Sequence, residues 1–240
     1  EEFSDQVIFV NEALVGELSP ARVVIFLTAQ LQLIAKAIQG TCDSLSSMRE
    51  GCHPFIFYHR VRPFLSGWKH NPTMPEGVLY EGVTDIRQMF YGGSAAQSSL
   101  LPFLDIMLGI EHDSPKSRDF LLAMRDYMLR PHREFLTYLE KSTATSSLRA
   151  FILDMLATID TAQYAEQKSL LEKLREAYDS CVFYLKRFRE GHMALVAEYI
   201  IAQHRQKEGK GLEDSAGGRG TGGTELMGFL RPIRNAVADK

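Results

Sequence analysis

The sequence predicts an all-α protein that forms a single large bundle-like helical domain. In several long segments apolar residues recur at steps of three and four, which is the period of an amphipathic helix. Stretches with the alternating pattern of strands are scarce, and no repeat recurs at a fixed period. The 240 residues are 45% hydrophobic and 24% charged, so the chain can bury one large core or two smaller ones.

Two helices are predicted near the start of the chain. Ser19 and Pro20 are typical of a helix N-terminus and Gly40 is typical of a helix end, so the first helix is expected over residues 20–38. A second helix is expected over residues 44–50. An aromatic segment follows, in which Pro63 disfavours helix at the residue before it, so Arg62 is expected where regular structure ends.

Mostly loop is predicted over residues 66–82, which are rich in glycine and proline. Residues 92–94 (GGS) then open a short apolar helix that runs to Gly109 and carries Asp105 beside its apolar residues. Three more helical segments are expected at residues 118–128, 131–139 and 148–159.

A long helix is predicted over residues 166–205, and its apolar face includes a histidine. His192 lies four residues after Phe188 and three before Leu195, so its imidazole points toward whatever the helix buries. Residues 207–219 are polar, glycine-rich and almost without apolar side chains, which predicts a mobile loop before a last short helix.

Net charge, cysteine content and apolar runs indicate which partners and which compartment to expect. A net charge of -3 and a pI near 6.2 give no overall attraction to nucleic acid, so no such partner is expected. The three cysteines lack metal-type spacing and predict a reducing compartment, with the cytoplasm as the expected location. The longest apolar run, residues 23–37, is broken by polar side chains and predicts no membrane span. Because Glu1 replaces an initiator methionine, we expect the chain to begin within a longer protein.

Three motif interpretations fail on their context. Gly218, Gly220 and Gly223 fit G-x-G-x-x-G, but a charged loop precedes them where a nucleotide-binding site needs a strand. Residues 92–96 resemble a degenerate nucleophile elbow, without the parallel sheet of a serine hydrolase. The seven histidines include no H-E-x-x-H motif and no pair four residues apart, so no zinc site is predicted.

His192 itself allows two interpretations. A buried histidine needs a hydrogen-bond partner or a metal, and by position alone a core histidine bonded to a backbone carbonyl is favoured. Arg189 alone would belong to a solvated helix face. Taken together with glycine- and serine-rich turns that can approach a ligand, however, His192 and Arg189 would suit a haem pocket, as axial ligand and propionate partner.

Several separated blocks of sequence are distinctive in combination. They are residues 57–68 (FYHRVRPFLSGW), 80–82 (YEG), 92–99 (GGSAAQSS), 124–128 (MRDYM), the Arg189 and His192 pair, and 220–224 (GTGGT) with Leu226 and Met227. In order and spacing these blocks resemble the indoleamine 2,3-dioxygenase family from about residue 53 to residue 235, and each would be rare by chance. Residues 1–50 match weakly and are expected to form an N-terminal helical segment, with residues 51–240 as the haem- and substrate-binding domain. The family's smaller N-terminal domain, which helps to close the pocket, is expected to be absent, which leaves the activity of the chain by itself open.

The resemblance implies haem b with ferrous iron as cofactor. His192 matches the family's proximal ligand of the haem iron. Arg189 matches the arginine that engages a haem propionate and a nearby aspartate, for which Asp105 is the counterpart. Gly93, Ser94 and Ala95 match a turn that lies against haem and substrate.

The resemblance also implies how substrate is bound. Phe57 corresponds to the aromatic that packs on the indole, and Arg62 to the arginine that pairs with the substrate carboxylate, a task that suits a forked guanidinium. Ser66 lies at the pocket edge, and Thr221 matches a threonine that reaches toward the substrate ammonium from the mobile loop. No general acid or base is assigned.

The activity implied is insertion of both atoms of O2 across the indole C2–C3 bond of L-tryptophan, giving N-formylkynurenine in the first step of the kynurenine pathway. L-tryptophan or a related indoleamine is the expected partner, and a monomer is expected. Two alternatives stay open. One is a haem oxygen carrier of the same fold, against which Arg62 and Thr221 argue because a carrier needs no carboxylate clamp. The other is a non-catalytic helical signalling or scaffold protein in which His192 is merely buried.

Overall fold

The computed structural model describes residues 19–69, 71, 73–144, 147–157, 165–208, 220 and 226–238. Within these ranges the chain forms helices joined by loops, and its β-type pairing is a single antiparallel bridge between Val78 and Gln88. The predicted all-α class is confirmed.

Ten α-helices occur in the described residues. In chain order they are α1 (Pro20–Ser46), α2 (Met48–Gly51), α3 (Pro54–Ile56), α4 (Leu100–Leu108), α5 (Pro115–Arg125), α6 (Arg130–Thr143), α7 (Leu148–Ala157), α8 (Ala165–Val196), α9 (Ala202–Glu208) and α10 (Leu226–Ala238). Two π-helical turns (Phe57–Val61 and Ala197–Ile201) and two 3-10 turns (Arg62–Leu65 and Ala95–Gln97) complete the regular structure.

The first predicted boundary is wrong, because α1 continues through Gly40 to Ser46. A glycine inside a helix costs only about 1 kcal/mol relative to alanine, and the packing of α1 along α8 offsets that cost. The second predicted helix is therefore the end of α1 followed by the single turn of α2.

Further boundaries differ from the sequence interpretation. The helix expected over residues 118–128 is α5 (Pro115–Arg125), and the helix expected over residues 131–139 is α6 (Arg130–Thr143). Regular structure does not end at Arg62, since a 3-10 turn continues to Leu65 with Pro63 in its first turn, where proline is tolerated. The helix predicted to open at residues 92–94 begins only at Leu100, because Ser94 caps a separate 3-10 turn.

The long helix α8 is the centre of the core. Buried side chains of α1, including Leu27, Leu31 and Ile38, share one hydrophobic cluster with buried side chains of α4 and α8. The Cys181 thiol of α8 donates to the carbonyl of Leu31, at 3.1 Å. The Tyr178 hydroxyl donates to the carbonyl of Leu108, at 2.6 Å, which satisfies the C-terminal end of α4. These contacts fix α4 beside α8 and so determine which side chains can meet between them.

The apolar character of α1 has an alternative interpretation. Residues 21–51 include a window of mean hydropathy 1.5, long and apolar enough to span a membrane by length and composition alone. The sequence analysis excluded a membrane span on the basis of residues 23–37 alone. For residues 21–51 that exclusion does not hold by length and composition. Packing in the core accounts for some apolar residues of α1, such as Leu27 and Leu31, whereas Ile25 and Leu33 are exposed. The absence of a membrane partner stays a prediction.

The C-terminal region agrees with the sequence in part. The predicted last helix is confirmed as α10. The predicted long helix over residues 166–205 is α8, interrupted by a π turn before α9. The predicted mobile loop lies outside the described residues from residue 209 to residue 219, as does Thr221.

Candidate active site

A cavity of about 240 Å³ gathers most of the residues that the sequence singles out. Its walls come from the 57–65 segment, the turn before α4, and helices α4, α5, α8 and α10. Most lining side chains are apolar. The ionisable ones are Arg62, Asp105, His112, Arg189 and His192.

His192 lines this cavity from α8, so the predicted inward orientation is confirmed. The imidazole makes no hydrogen bond with the described part of the chain, and the backbone-bonded core histidine is therefore not what the structure contains there. Burial lowers the pKa of His192, because desolvation penalises the charged ring. A neutral imidazole is the form that binds a metal ion.

Arg189 lies one turn before His192 and forms a buried ion pair with Asp105 of α4. The two residues are 5% and 8% exposed. One guanidinium nitrogen of Arg189 donates to Oδ1 of Asp105, and another donates to the carbonyl of Ile233, at 2.7 Å. The guanidinium thus joins α8 to both α4 and α10. The predicted pairing of Arg189 with Asp105 is present.

His112 is a member of this cluster that the sequence interpretation missed. Its Nε2 lies 2.8 Å from Oδ2 of Asp105, and its side chain is 10% exposed. Little in the sequence indicated this contact, since His112 lies seven residues after Asp105 and beyond the end of the same helix. They meet because Gly109 ends α4 at a φ of 64°, a conformation that suits glycine, and turns the chain back so that Ile110 donates to the carbonyl of Asp105.

The two π-helical turns also contribute to the cavity lining. One carries Phe57 and the other carries Ile200 into the lining. The Phe57 and Tyr199 rings meet edge to face at 5.8 Å, and the Tyr199 hydroxyl donates to the carbonyl of Cys52, at 2.6 Å. Turns of this type inside helices are rare and frequent at functional sites. Sequence periodicity did not predict either of them. The Ala197–Ile201 turn lies between two α-helices, and the Phe57–Val61 turn lies between a short α-helix and a 3-10 turn.

Arg62 is 6% exposed and lines the cavity, so the predicted carboxylate-binding arginine is buried there. Its guanidinium lies over the Tyr58 ring, 5.3 Å from the centroid. The Tyr58 hydroxyl is 3.3 Å from Nδ1 of His204, so the aromatic ring beneath Arg62 is in contact with α9.

Residues 93–95 are held against the cavity by backbone contacts with the segment after Arg62. The Gly93 N–H donates to the carbonyl of Leu65, at 3.0 Å, and the N–H groups of Trp68 and Lys69 both donate to the carbonyl of Phe90. Gly67 is required for this approach, since a Cβ there would lie 2.4 Å from the Phe90 oxygen.

Gly93, Ser94 and Ala95 all line the cavity. A Cβ added to Gly93 would meet no atom of the described residues within 4 Å, so the space beside it in this part of the chain is available to a ligand. The Ser94 hydroxyl oxygen accepts from the N–H of Ala96, at 3.3 Å, and caps the short turn that follows.

One predicted substrate contact lies outside the cavity lining, and another lies outside the described residues. Ser66 is exposed and outside the lining, although its neighbour Leu65 belongs to it. Thr221 lies outside the described residues, although Gly220 lines the cavity.

The residues present fit a haem group. His192 offers a neutral nitrogen, the Nε of Arg189 is a buried donor without a partner among the described residues, and the remaining walls are mostly apolar. Among the described residues, no group of three or more His, Cys, Asp or Glu side chains is placed to hold a metal ion.

Comparisons with known proteins agree with this arrangement. Residues 10–240 match the family model described as indoleamine 2,3-dioxygenase. Indoleamine 2,3-dioxygenase 1 of Rattus norvegicus is 38% identical over 210 residues, which are 85% of this chain and 47% of that protein. Indoleamine 2,3-dioxygenase 2 of Homo sapiens is 40% identical over 215 residues, which are 87% of this chain and 48% of that protein. A 6-hydroxytryptophan 2,3-dioxygenase of Fusarium equiseti is 39% identical over 227 residues, which are 89% of this chain and 52% of that protein.

The chain spans about half the length of the curated relatives it matches. The family match nevertheless covers the whole cavity, including the helices that carry His192 and Asp105. The chain belongs to the indoleamine 2,3-dioxygenase family.

Proposed function

We propose that this chain forms the haem- and substrate-binding part of a dioxygenase that converts L-tryptophan to N-formylkynurenine, the first step of the kynurenine pathway. The observation that carries the proposal is the state of His192. Its ring faces the cavity, makes no hydrogen bond with the described residues and is kept neutral by burial, one turn from a buried Arg189 and Asp105 pair.

On the α8 side, the residues have separable tasks. His192 would supply the axial nitrogen of haem b, and Arg189 would donate a charge-assisted hydrogen bond to a propionate. Asp105 and the carbonyl of Ile233 hold the guanidinium, so little side-chain freedom is lost when the cofactor binds. Ferrous haem, when bound, would supply the chemistry that adds both atoms of O2 across the indole C2–C3 bond.

On the opposite side, Arg62 and Phe57 would orient the substrate. A buried guanidinium binds a carboxylate in two-point geometry, and the Phe57 ring offers a face or edge to the indole. The open space beside Gly93 lets the amino-acid backbone of tryptophan lie close to the turn. The apolar walls keep water away from the reacting ring.

Arg62 is also the observation that favours a dioxygenase over an oxygen carrier or a scaffold. This guanidinium is 6% exposed and lies on the cavity wall, where it can pair with the carboxylate of a bound amino acid. Dioxygen and a purely structural core need no such group, whereas an amino-acid substrate does. The names of the relatives, which include indoleamine and 6-hydroxytryptophan dioxygenases, support an indole substrate.

The proposal also covers the cellular location and the oligomeric state of the chain. Cys42, Cys52 and Cys181 are free thiols, as expected of a protein in a reducing compartment such as the cytoplasm. We further propose that the chain acts as a monomer on free L-tryptophan or a related indoleamine.

The test is reconstitution of the purified chain with haem, followed by addition of reductant, O2 and L-tryptophan. We expect a Soret band that shifts with tryptophan, and N-formylkynurenine as the product identified by chromatography. A Soret band without any product would favour the oxygen carrier. Absence of a Soret band would defeat the haem assignment.

A further inference from the structure

The Asp105 carboxylate contacts two buried side chains, Arg189 and His112, and each has one nitrogen atom that finds no partner in the part of the chain that the structure describes. Arg189 donates to Oδ1, and Nε2 of His112 lies 2.8 Å from Oδ2. Among the described residues, neither Nε of Arg189 nor Nδ1 of His112 has a hydrogen-bond partner, and both atoms are shielded from solvent. Buried polar atoms in this condition are costly and uncommon, and both side chains belong to the same cavity lining.

The contact with Asp105 fixes how the His112 ring is protonated at Nε2. An ionised carboxylate only accepts hydrogen bonds, so Nε2 carries a proton and donates it to Asp105. In the neutral ring Nδ1 is then an acceptor, and in the doubly protonated ring Nδ1 becomes a second donor. Nδ1 can therefore donate a hydrogen bond to an anion only in the doubly protonated ring.

Charge balance indicates which state a bound carboxylate requires. Among the described residues, the charged group in contact with the ring is Asp105 from α4, and its charge is compensated by the ion pair with Arg189 from α8. The nearby cavity walls from α5 and α10 present apolar side chains, such as Phe120 and Ile233. A ligand carboxylate beside this cluster would add a second negative charge, which a doubly protonated His112 can compensate.

We propose that His112 is a further cofactor-binding residue, which donates from Nδ1 to a haem propionate while its Nε2 donates to Asp105. The propionate would lie against both nitrogen atoms that now lack partners, Nε of Arg189 and Nδ1 of His112. This inference rests on the proposed haem site and adds to it a residue outside the sequence blocks that carry the family resemblance. His112 acts in it through the carboxylate of the cofactor and not through the iron.

The experiment compares haem with haem dimethyl ester, in which both carboxylates are blocked. Each is titrated into the haem-free chain and followed by its Soret band, for the parent, His112→Gln and His112→Leu. Glutamine can still donate to Asp105 but cannot become a cation, and leucine removes both functions. His132→Gln is the matched control, because that exposed histidine lies outside the cavity and contacts Ser99. The melting temperature of each haem-free variant reports whether it is folded.

We expect His112→Gln to bind haem about tenfold more weakly, the value of one charge-assisted hydrogen bond, and to bind the ester within about threefold of the parent, since the ester offers no anion. His132→Gln should match the parent with both probes. Equal haem affinity in the parent and both His112 variants overturns the inference, and so does an equal loss for haem and ester, which would assign His112 a role in cavity shape alone. If the parent gives no Soret band with haem, the proposed function itself fails and this inference fails with it.

Discussion

Arg189 and Asp105, 84 residues apart in the sequence, form a buried ion pair between the longest helix and the short helix α4. The pair lies one helical turn from His192 and is completed by His112 on the second carboxylate oxygen. The ion pair at the centre of the candidate cofactor site is therefore a contact between two helices, which favours a fixed geometry before any ligand binds, and His112 joins it from the loop after α4.

Replacing Asp105 should destabilise the haem-free chain. Asp105→Asn keeps the shape of the side chain but leaves the Arg189 guanidinium without its counter-charge in a site that is 5% exposed. We expect a loss of about 3–5 kcal/mol in the free energy of unfolding, measured with urea. The control is Glu198→Gln, which breaks the Arg49–Glu198 pair whose side chains are both 43% exposed. That change should cost less than about 1 kcal/mol. Equal losses in the two variants would contradict the special role of the buried pair.

Removing the imidazole at position 192 should abolish stable haem binding. His192→Ala removes the imidazole that α8 presents to the cavity as the proposed axial ligand, so the Soret band should be lost on desalting of the reconstituted protein. His204→Ala is the control, because that ring bonds to Tyr58 and does not line the cavity. A His192→Ala protein with the Soret absorbance of the parent would disprove the axial assignment.

Arg62→Ala should separate substrate binding from cofactor binding. Loss of a charge-assisted carboxylate contact predicts a KM for L-tryptophan about 10- to 100-fold higher, with the haem content unchanged. Arg62→Lys should recover little, since an ammonium lacks the fork geometry. The exposed Arg60 offers a matched control, and Arg60→Ala should behave as the parent. Unchanged turnover of L-tryptophan by Arg62→Ala would show that Arg62 does not bind the substrate carboxylate.

The Cys181 thiol should resist modification in the folded chain. Burial raises its pKa to about 12 from the ordinary 9.0, and its Sγ donates to the carbonyl of Leu31. Because the thiolate is the nucleophile, a disulfide reagent at pH 8 should label Cys42 and Cys52 well before Cys181, which should react only on unfolding.

The raised pKa of Cys181 also gives a direction for stability against pH. The folded state retains this proton where the unfolded state releases it, so the stabilisation from the buried thiol is complete below about pH 9 and is lost as the pH rises toward 12. Urea unfolding at pH 8 and pH 10 measures the difference, which should be smaller in Cys181→Ala. An equal pH dependence in the two proteins would contradict the assignment.

Periodicity predicted much of the fold because apolar residues at helical spacing must be buried on one side. It placed α8 and α10, and it set His192 on the buried face of α8, which the structure confirms. It failed at Gly40, where a weak local preference for a helix end is outweighed by packing against α8, and at residues 92–99, where a capped 3-10 turn precedes α4.

The sequence by itself determined the helical class, the inward direction of His192 and, through separated motifs, the family, since each depends on residues close together in the chain or on a pattern of identities. The tertiary structure alone decided that His112 joins Asp105, that Arg189 reaches the carbonyl of Ile233, and that Arg62 lies on the Tyr58 ring in the same cavity. These contacts depend on how α4, α8 and α10 pack and on where a left-handed glycine turns the chain. Local preferences carry no information about either, because side chains far apart in sequence become neighbours only when the apolar faces of different helices are buried together.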